Sequence, residues 1–411
     1  MRKVVVTGLG AITPIGNDVN TMWENAKKGV CGIAPITHYD TTERKVKLAG
    51  EVKDFTPEEV LDKRQVRKMD RFTQFAMVAA KEAYADAKLA EGNFDPERSG
   101  VIVSSGIGGL DTIQREDCKG AEKGYDRVSP FFIPMSISNM AAGQIAIEVG
   151  FHDICSCVVT ACAGGTNAIG EAFHRIRDGY SDVMLCGGTE ASITELGIGG
   201  FTSMKALNET DDVTRASIPF DEERAGFVMG EGAGMLVLEE YEHAKKRGAK
   251  IYCEISGYGA NCDANHITAP LEDGSRAADC MKKTIADASL TPEDIDYINA
   301  HGTSTHLNDA GETKAIKLAF GAHANKLCVS STKSMTGHLL GASGAVEGVI
   351  LALSVANDFV PPTINLQKQD PECDLDYVPN TGRNQTVRVA MSNSLGFGGH
   401  NATILMKKCE E

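Results

Sequence analysis

The sequence predicts an α/β protein built from two similar halves, with its helices and sheets arranged in five layers. The first observation behind this prediction is a repeated pattern. A strand-like run at residues 153–160 precedes Cys162 and a helix of small residues, and a strand at 327–331 precedes His338 and a second such helix. Helices rich in glycine and alanine are typical of a layer buried between two sheets. We therefore expect these two helices to face each other at the centre.

The second observation is that short apolar runs alternate with helical patterns along the whole chain, as in α/β units. We place the two halves at residues 1–250 and 251–411. In the first half the pattern predicts a strand at 3–10, helices at 18–28 and 57–89, a strand at 99–105, a helix at 138–149, the strand at 153–160, a helix starting near Cys162, strands at 182–189 and 235–239, and a helix at 240–247. In the second half it predicts a strand at 251–260, a helix at 274–288, a strand at 295–300, a helix at 309–319, the strand at 327–331, a helix at 339–355, and strands near 386–391 and 402–407.

Three segments of the first half do not fit this alternation. Residues 111–140 are mixed and irregular, which is typical of a lid or a subunit interface. The glycine-rich segment 196–201 is expected to be mobile. The motif at Gly8 and Gly10 follows a strand, but the third glycine of a dinucleotide fingerprint is missing and Pro14 interrupts it.

Composition excludes several classes of protein. The 41 basic and 56 acidic residues give a net charge of −15, which disfavours nucleic acid as the main partner. None of the 12 cysteines forms a C-x-x-C pair, so we expect neither zinc nor disulfides, and no other metal-ligand cluster stands out. No apolar run approaches the roughly 20 residues that span a bilayer. The N-terminus enters a strand at once, so we expect a cytoplasmic protein without membrane insertion.

Cys162 is the candidate nucleophile. It follows a β-branched run and precedes a helix of small residues, and a helix N-terminus favours the reactive thiolate. The alternative is that Cys162 is simply a small buried residue. His301 and His338 each follow a short strand, where loops commonly hold site residues. His338 also precedes a helix, whose dipole disfavours the imidazolium and leaves a neutral ring.

Two further features accompany these residues. Lys333 lies five positions before His338, and Glu347 lies in an apolar helix where an unpaired carboxylate would be costly, so we expect the two to pair. The turn Gly396–Gly399 can direct a backbone N–H toward an oxyanion, with Phe397 as a gate. Its alternative interpretation is an ordinary glycine turn between strands.

These motifs resemble those of the β-ketoacyl-[acyl-carrier-protein] synthases, and most closely the type II elongating enzymes. The resemblance covers essentially the whole chain, and the motifs occur in the family's order. They are Val159–Ala163, Asn299–Thr305, Ser331–His338, Asn393–Asn401, and Pro219–Asp221 with Arg224–Phe227. The resemblance implies a thiolase fold, a homodimer, and a condensation of acyl-carrier protein with malonyl-carrier protein.

The resemblance also implies residue roles. Cys162 would carry the acyl chain, and the N–H groups of Cys162 and Phe397 would form the oxyanion hole. His301 and His338 would promote decarboxylation of the malonyl thioester, with Lys333 and Glu347 in support and Phe397 as the gate. No resident cofactor is expected, because phosphopantetheine arrives on the carrier protein.

Three positions bear on specificity and partners. Ile107 matches the position that borders the acyl pocket in the type II enzymes. A basic cluster that includes Arg64, Arg67 and Lys68 would steer an acidic carrier protein, although a solvated helix face is the alternative interpretation. Ala163 stands where many relatives carry a hydroxyl residue, which could change acyl preference.

Three rival hypotheses remain open from the sequence. A polyketide ketosynthase shares the fold, but no fused acyltransferase or carrier domain is present in the sequence. A non-catalytic partner subunit would have no need of Cys162. A Cys-His hydrolase would release free acid instead of condensing it with malonyl-carrier protein.

Overall fold

A computed structural model describes residues 1–410, so Glu411, the last residue of the predicted second half, lies outside the described residues. The strands of the first half are β1 (Val4–Ile12), β2 (Ala34–Pro35), β3 (Leu48–Ala49), β4 (Ser99–Ser104), β5 (Cys155–Ser156), β6 (Val183–Glu190) and β7 (Gly232–Glu240). Its helices are α1 (Val19–Lys28), α2 (Lys63–Val66), α3 (Arg71–Asp86), α4 (Leu110–Lys123), α5 (Phe132–Ser136), α6 (Met140–Val149), α7 (Gly164–Arg177), α8 (Glu195–Ser203), α9 (Val213–Ala216) and α10 (Tyr241–Lys246).

The second half follows the same plan with fewer helices. Its strands are β8 (Cys253–Cys262), β9 (Tyr297–Asn299), β10 (Cys328–Ser330), β11 (Phe359–Val360), β12 (Arg383–Asn384), β13 (Val389–Gly396) and β14 (His400–Lys407). Its helices are α11 (Ser275–Asp287), α12 (His306–Phe320), α13 (Lys333–Thr336) and α14 (Ser343–Asn357).

Ten strands form one mixed sheet whose order shows the duplication. The order is β10-β9-β13-β14-β8-β1-β7-β6-β4-β5. Each half contributes five strands to this sheet. When these five are numbered in chain order and read from the outer edge toward the join, both halves have the order third, second, fourth, fifth, first. The two sets are joined where β1 pairs antiparallel with β8, from Val4 against Ile255 to Val6 against Cys253. The two sheets expected from the sequence are thus hydrogen-bonded to each other along one edge.

The predicted central layer consists of α7 and α14. Both helices contact strands of both halves, α7 through β6 and β14 and α14 through β7 and β13. Outer helices cover the other faces, with α3 and α6 against the first half and α11 and α12 against the second. The helix pair packs tightly because its contact surface is made of small residues: a Cβ on Gly165 would lie 2.6 Å from the backbone nitrogen of Ala345. The layered α/β fold predicted from the sequence is confirmed.

Four sequence predictions are wrong in detail. The predicted helix at 57–89 is interrupted, because Asp62 and Asp70 each accept a backbone N–H and start separate helices, α2 and α3. The irregular segment at 111–140 contains most of the 14-residue helix α4, where Leu110 is the one apolar side chain among the buried residues and Thr112, Glu116 and Gly120 are the others. The glycine-rich segment at 196–201 lies within helix α8, which Thr194 caps through the N–H of Gly197.

The strand predicted at 153–160 is also wrong beyond its first residues. Only Cys155 and Ser156 pair with β4, at the end of the ten-stranded sheet. The chain then leaves the sheet, and the side chain of Val159 is 55% exposed. The apolar run before Cys162 is therefore not a buried strand.

The stretch Leu340–Asn357 is long and apolar enough to cross a membrane by length and composition alone, which the sequence analysis did not expect. It is made up of a 3-10 turn and helix α14, and 89% of it is buried inside the protein. Its apolar character follows from its place in the central layer, where both halves of the sheet surround it. We interpret it as the core helix of the fold.

We predict that Gly165→Ala destabilises the protein, because a methyl group there would overlap the backbone of α14. Overpacking of this kind typically costs about 1–3 kcal/mol. The matched control is Gly143→Ala in α6, where no atom lies within 4 Å of the added Cβ. That change should be neutral or stabilise by about 0.5–1 kcal/mol, as for other glycines inside helices. Denaturant unfolding of both variants checks this, and equal stabilities would contradict the tight packing of the central layer.

Candidate functional site

A cavity of about 350 Å³ lies where the two halves meet, and it collects the residues singled out in the sequence. Cys162, His301, His338 and Phe397 all line it, although they are far apart along the chain. Cys162 and His338 lie shortly before the central helices α7 and α14, and His301 and Phe397 lie just after strands β9 and β13. The cavity therefore brings together one thiol, two imidazoles and a glycine turn.

Cys162 lies in a 3-10 turn, Ala161–Ala163, directly before α7. Ala161 has a φ of +48°, an unusual conformation for a residue with a side chain, and the turn presents Cys162 to the cavity. Burial raises the pKa of the Cys162 thiol to about 12, although the charge of Lys333 and the N–H groups of Phe397 and Cys162 itself act to lower it. Burial thus favours the thiol form and opposes the stabilisation of the thiolate that is expected from the helix terminus alone.

His301 and His338 form a perpendicular pair, with ring centroids 5.2 Å apart and an angle of 88° between the planes. Burial lowers the pKa of both imidazoles well below the usual value, and the nearby charge of Lys333 lowers both further. Nδ1 of His338 lies 2.9 Å from the hydroxyl of Ser343, which can donate to it and leave Nε2 as the protonated nitrogen. Two neutral rings that can donate hydrogen bonds thus face the cavity.

The backbone on either side of these rings is fixed. The N–H of His301 donates to the buried carboxylate of Glu312 at 2.9 Å, and so does the N–H of Gly302. The N–H of His338 donates to the carbonyl of Val228 at 2.7 Å. Because these bonds are buried, the loops that carry the histidines have little freedom to move.

Lys333 and Glu347 form the ion pair that the sequence predicted. Nζ of Lys333 donates to Oε1 of Glu347, and both side chains are almost completely buried. Burial raises the pKa of Glu347 to about 7, while the charge of Lys333 acts to lower it. Oε2 of Glu347 has no hydrogen-bond partner among the described residues. The pair places one positive charge beside Cys162, His301 and His338.

Phe397 lies in the turn between β13 and β14, where Gly398 and Gly399 have φ values of +86° and +76°. Gly396 approaches the backbone of Cys162 closely, since a Cβ there would lie 3.2 Å from its nitrogen. The ring of Phe397 lies 6.1 Å from that of Phe201. A side chain at Gly396 would separate the turn from Cys162, which explains the glycine at this position.

The structure adds residues that the sequence analysis did not assign to the site. Phe227 packs edge-on against His338 at 5.2 Å, and Phe201 packs against Phe227. Ser343 and Glu312 hold the two histidines as described above. Phe227 belongs to a motif quoted for the resemblance, which was the available signal, whereas Phe201 lies in the segment expected to be mobile.

The remaining sequence candidates lie outside the cavity lining. Ile107 packs at the edge of the apolar cluster that contains Cys162. Arg64, Arg67 and Lys68 are exposed on and just after α2, and none forms an ion pair with a carboxylate within the described chain. Nζ of Lys68 lies 5.1 Å from the centre of the Phe131 ring. No group of three His, Cys, Asp or Glu side chains within residues 1–410 is placed to hold a metal ion.

The chain is similar to known proteins over its full length. The model of the beta-ketoacyl synthase N-terminal domain matches residues 1–244, and that of the C-terminal domain matches residues 252–367. A 3-oxoacyl-[acyl-carrier-protein] synthase 2 from Synechocystis sp. is 52% identical, with 99% of this chain and 98% of the relative covered. A protein of the same name from Staphylococcus aureus is 53% identical, with 100% and 99% covered.

Solved structures agree in fold over all of both chains. A type II PKS acyl-carrier protein in complex with its ketosynthase gives a TM-score of 0.92 at 37% identity. The ishigamide ketosynthase/chain length factor gives a TM-score of 0.94 at 36% identity. In both cases 100% of this chain and 100% of the other chain are covered, so the thiolase fold implied by the resemblance is confirmed.

We predict that Lys333→Met slows alkylation of Cys162 by iodoacetamide at a fixed pH. The Lys333 cation lowers the pKa of the thiol, so its removal raises that pKa and reduces the thiolate, which is the reactive form. A shift of one pKa unit would slow alkylation by about tenfold. Mass spectrometry of the peptide that contains Cys162 measures the rate.

The control is the double variant Lys333→Met with Glu347→Leu, which removes both charges. It should recover stability lost by leaving the Glu347 carboxylate unpaired, since replacing a buried ion pair with apolar residues is often neutral. Alkylation should remain slow in the double variant. A rate equal to that of the unmodified protein in either variant would contradict the electrostatic role of Lys333.

Proposed function

The chain belongs to the beta-ketoacyl synthase family and condenses an acyl-[acyl-carrier-protein] with malonyl-[acyl-carrier-protein], and we propose that Cys162, His301 and His338 carry out this reaction. The products are a 3-oxoacyl-carrier protein two carbons longer, CO₂ and free carrier protein. The reaction makes the protein an acyltransferase of fatty-acid elongation. The observation that carries the assignment of residues is the convergence of one thiol and two neutral imidazoles in a single buried cavity.

In the first half-reaction, the sulfur of Cys162 attacks the carbonyl of the acyl thioester. A new C–S bond forms to Cys162, the bond to phosphopantetheine breaks, and the proton of the Cys162 thiol ends on the departing thiol. Because burial raises the pKa of the Cys162 thiol, its proton must leave the sulfur as the new C–S bond forms, and the departing phosphopantetheine sulfur takes it up. The backbone N–H groups of Cys162 and Phe397 both act to lower the pKa of the Cys162 sulfur, so both lie close to it. This supports their role as donors to the tetrahedral oxyanion.

In the second half-reaction, the C–C bond to the malonyl carboxylate breaks and CO₂ leaves. Its electron pair forms an enolate, whose oxygen the neutral rings of His301 and His338 can stabilise by donating hydrogen bonds. The enolate carbon then attacks the acyl carbonyl, and the C–S bond to Cys162 breaks. The Cys162 sulfur leaves as a thiolate and takes up one proton, which restores the resting thiol.

The surrounding residues are assigned supporting roles. Lys333, held by Glu347, adds its charge to the effect of burial in lowering the pKa of both histidines, and it also acts to lower the pKa of Cys162. Phe397 is positioned to gate malonyl entry, since its ring packs against Phe201 at the cavity wall. Ile107 borders the acyl pocket, as its contact with the cluster around Cys162 supports.

The proposed partners are the acyl carrier protein and a second copy of the chain. A structural neighbour is a ketosynthase in complex with an acyl-carrier protein, which supports the first partner. The exposed Arg64, Arg67 and Lys68 supply positive charge for docking despite the net charge of −15. Homodimer formation is supported by β5, which ends the sheet with an open edge, and by the exposed side chains of Ile133 and Val159.

Three further proposals concern the protein as a whole. No resident cofactor takes part, because phosphopantetheine arrives on the carrier protein. The protein acts in the cytoplasm. The halves divide at residues 250 and 251, which the repeated strand order and the matches at residues 1–244 and 252–367 support.

The first test compares the unmodified protein with Cys162→Ala. We expect the unmodified protein to gain one acyl mass when it is mixed with acyl-carrier protein, and the alanine variant to gain none, because the thioester forms on Cys162. After malonyl-carrier protein is added, the acyl group should leave as a 3-oxoacyl product two carbons longer. Intact-mass spectrometry measures each step.

Two variants separate the half-reactions in the same experiment. His301→Ala and His338→Ala should still gain the acyl group but fail to discharge it, since neither histidine forms the acyl bond. If the unmodified protein took up no acyl group, the non-catalytic partner subunit would be the better hypothesis. Release of free acid without malonyl-carrier protein would favour the hydrolase.

We predict that Arg67→Glu raises the KM for acyl-carrier protein by about tenfold, the effect of losing about 1.4 kcal/mol of binding free energy. The change in kcat should be small, because Arg67 lies outside the cavity. The effect should shrink at high salt, since contacts between exposed charges are screened. Lys326→Glu, which makes the same charge change on the second half, is the control. Equal KM values for the two variants would show that Arg67 is not part of the docking surface.

A further inference from the structure

The duplication places two equivalent turns at the start of the two central helices. Ala161–Ala163 precedes α7, and Leu340–Ala342 precedes α14; each is a single 3-10 turn of three residues. The first residue of each turn has a φ of +48°. The middle residues, Cys162 and Gly341, are therefore counterparts in the two halves.

The strands that end beside these turns are counterparts as well. Strands β6 and β13 each have eight residues, and each is the fourth of the five strands that its half contributes to the large sheet. They end at Glu190 and Gly396. Gly396 has no side chain and leaves the N–H of Cys162 free to act on the cavity. Glu190 instead carries a carboxylate, and the N–H of Gly341 donates to its Oε2 at 3.0 Å. The N–H of Cys162 is therefore next to the cavity, whereas the equivalent N–H of Gly341 is next to the carboxylate of Glu190.

Glu190 also binds the loop after β4. Its Oε2 accepts the N–H of Gly106 at 2.8 Å, and its Oε1 accepts the N–H of Ile107 at 3.1 Å. The hydroxyls of Ser105 and Ser192 donate to Oε1 at 3.2 and 3.3 Å. The side chain is completely buried, and no cationic side chain within residues 1–410 pairs with it. Burial raises the pKa of the Glu190 carboxyl, and its hydrogen bonds with the three backbone N–H groups and with the hydroxyl of Ser105 act to lower it.

The two glycines around the carboxylate show how close the fit is. A Cβ on Gly106 would lie 2.9 Å from Oε2 of Glu190, and a Cβ on Gly341 would lie 2.8 Å from the same atom. No side chain can stand at either position without displacing the carboxylate. The loop that carries Ile107 and the turn that follows His338 therefore meet on one oxygen atom.

We propose that Glu190 is a positioning residue that fixes Ile107 at the border of the acyl pocket and fixes the turn after His338 relative to Cys162. The inference rests on the proposed function, because Ile107 matters only if the cavity takes an acyl chain. Glu190 does not touch the reacting atoms. It acts through the backbone of the two segments, and so it sets which acyl chains the pocket accepts.

Glu190→Gln tests the geometric part of the proposal. The amide oxygen should face the N–H groups of Gly106 and Gly341, while the amide NH₂ faces the hydroxyls of Ser105 and Ser192, which can turn to accept. Only the bond from the N–H of Ile107 is then lost. We expect kcat/KM for myristoyl-carrier protein to fall about tenfold relative to hexanoyl-carrier protein, the effect of one buried hydrogen bond on the longer chain.

Glu190→Asp separates charge from geometry. It keeps the carboxyl group, but its side chain is too short to reach both the loop of Ile107 and the turn of Gly341. The ratio of kcat/KM for myristoyl-carrier protein to that for hexanoyl-carrier protein should therefore change as well. The charge of Glu190 raises the pKa of Cys162, so Glu190→Gln should move the pH midpoint of iodoacetamide alkylation to a lower value. In Glu190→Asp that midpoint should stay, since Lys333 and the carboxylate are both retained.

The control is Glu82→Gln in α3. Glu82 is partly buried and, like Glu190, accepts backbone N–H groups, here from Ala11 at 2.9 Å and from Val19 at 2.8 Å. The Glu82→Gln variant should be less stable, but its ratio of kcat/KM values for the two acyl substrates and its pH midpoint of Cys162 alkylation should not change. If Glu190→Gln lowered both kcat/KM values equally and left the midpoint unchanged, Glu190 would be merely structural and the proposal would be wrong. If the unmodified protein formed no acyl-enzyme, the proposed function would fail instead, while the alkylation midpoint would still report on Glu190.

Discussion

The close packing of α7 against α14 is the constraint on which the rest of the structure depends. Both helices lie between the two halves of the sheet, and the small residues at their contact let the backbone at Gly165 approach that at Ala345. The turns that start the two helices must then lie side by side. One turn carries Cys162, and the other follows His338, so the same packing that fills the core also assembles the cavity.

Burial at this contact determines the charge state of the site. It raises the pKa of the Cys162 thiol and lowers that of both imidazoles, so these three groups are neutral at rest. The exception beside them is Lys333, whose charge Glu347 compensates. Neutral hydrogen-bond donors next to the Lys333 cation suit a reaction that develops negative charge, because the donors need no reorganisation when the oxyanion or enolate forms.

Much of the fold could be predicted because its core elements carry clear apolar patterns, as β6 and α14 show. Helix α4 could not, because its buried residues after Leu110 are Thr112, Glu116 and Gly120, which form no apolar pattern. The site residues were accessible through motifs, and Cys162 and His338 do line one cavity. The resting state of Cys162 was not accessible, because it depends on burial by segments that are distant along the chain.

The duplication also explains why only one of the two equivalent turns can host the proposed chemistry. Both turns direct a backbone N–H outward from the start of a central helix, which is where an anion is stabilised. At Cys162 the facing strand ends in Gly396, and the N–H remains available for an anion that forms during the reaction. At Gly341 the facing strand ends in Glu190, whose carboxyl group accepts the N–H. One turn is thus kept open for a transient charge, while the other is closed by a carboxyl group that also anchors the loop of Ile107.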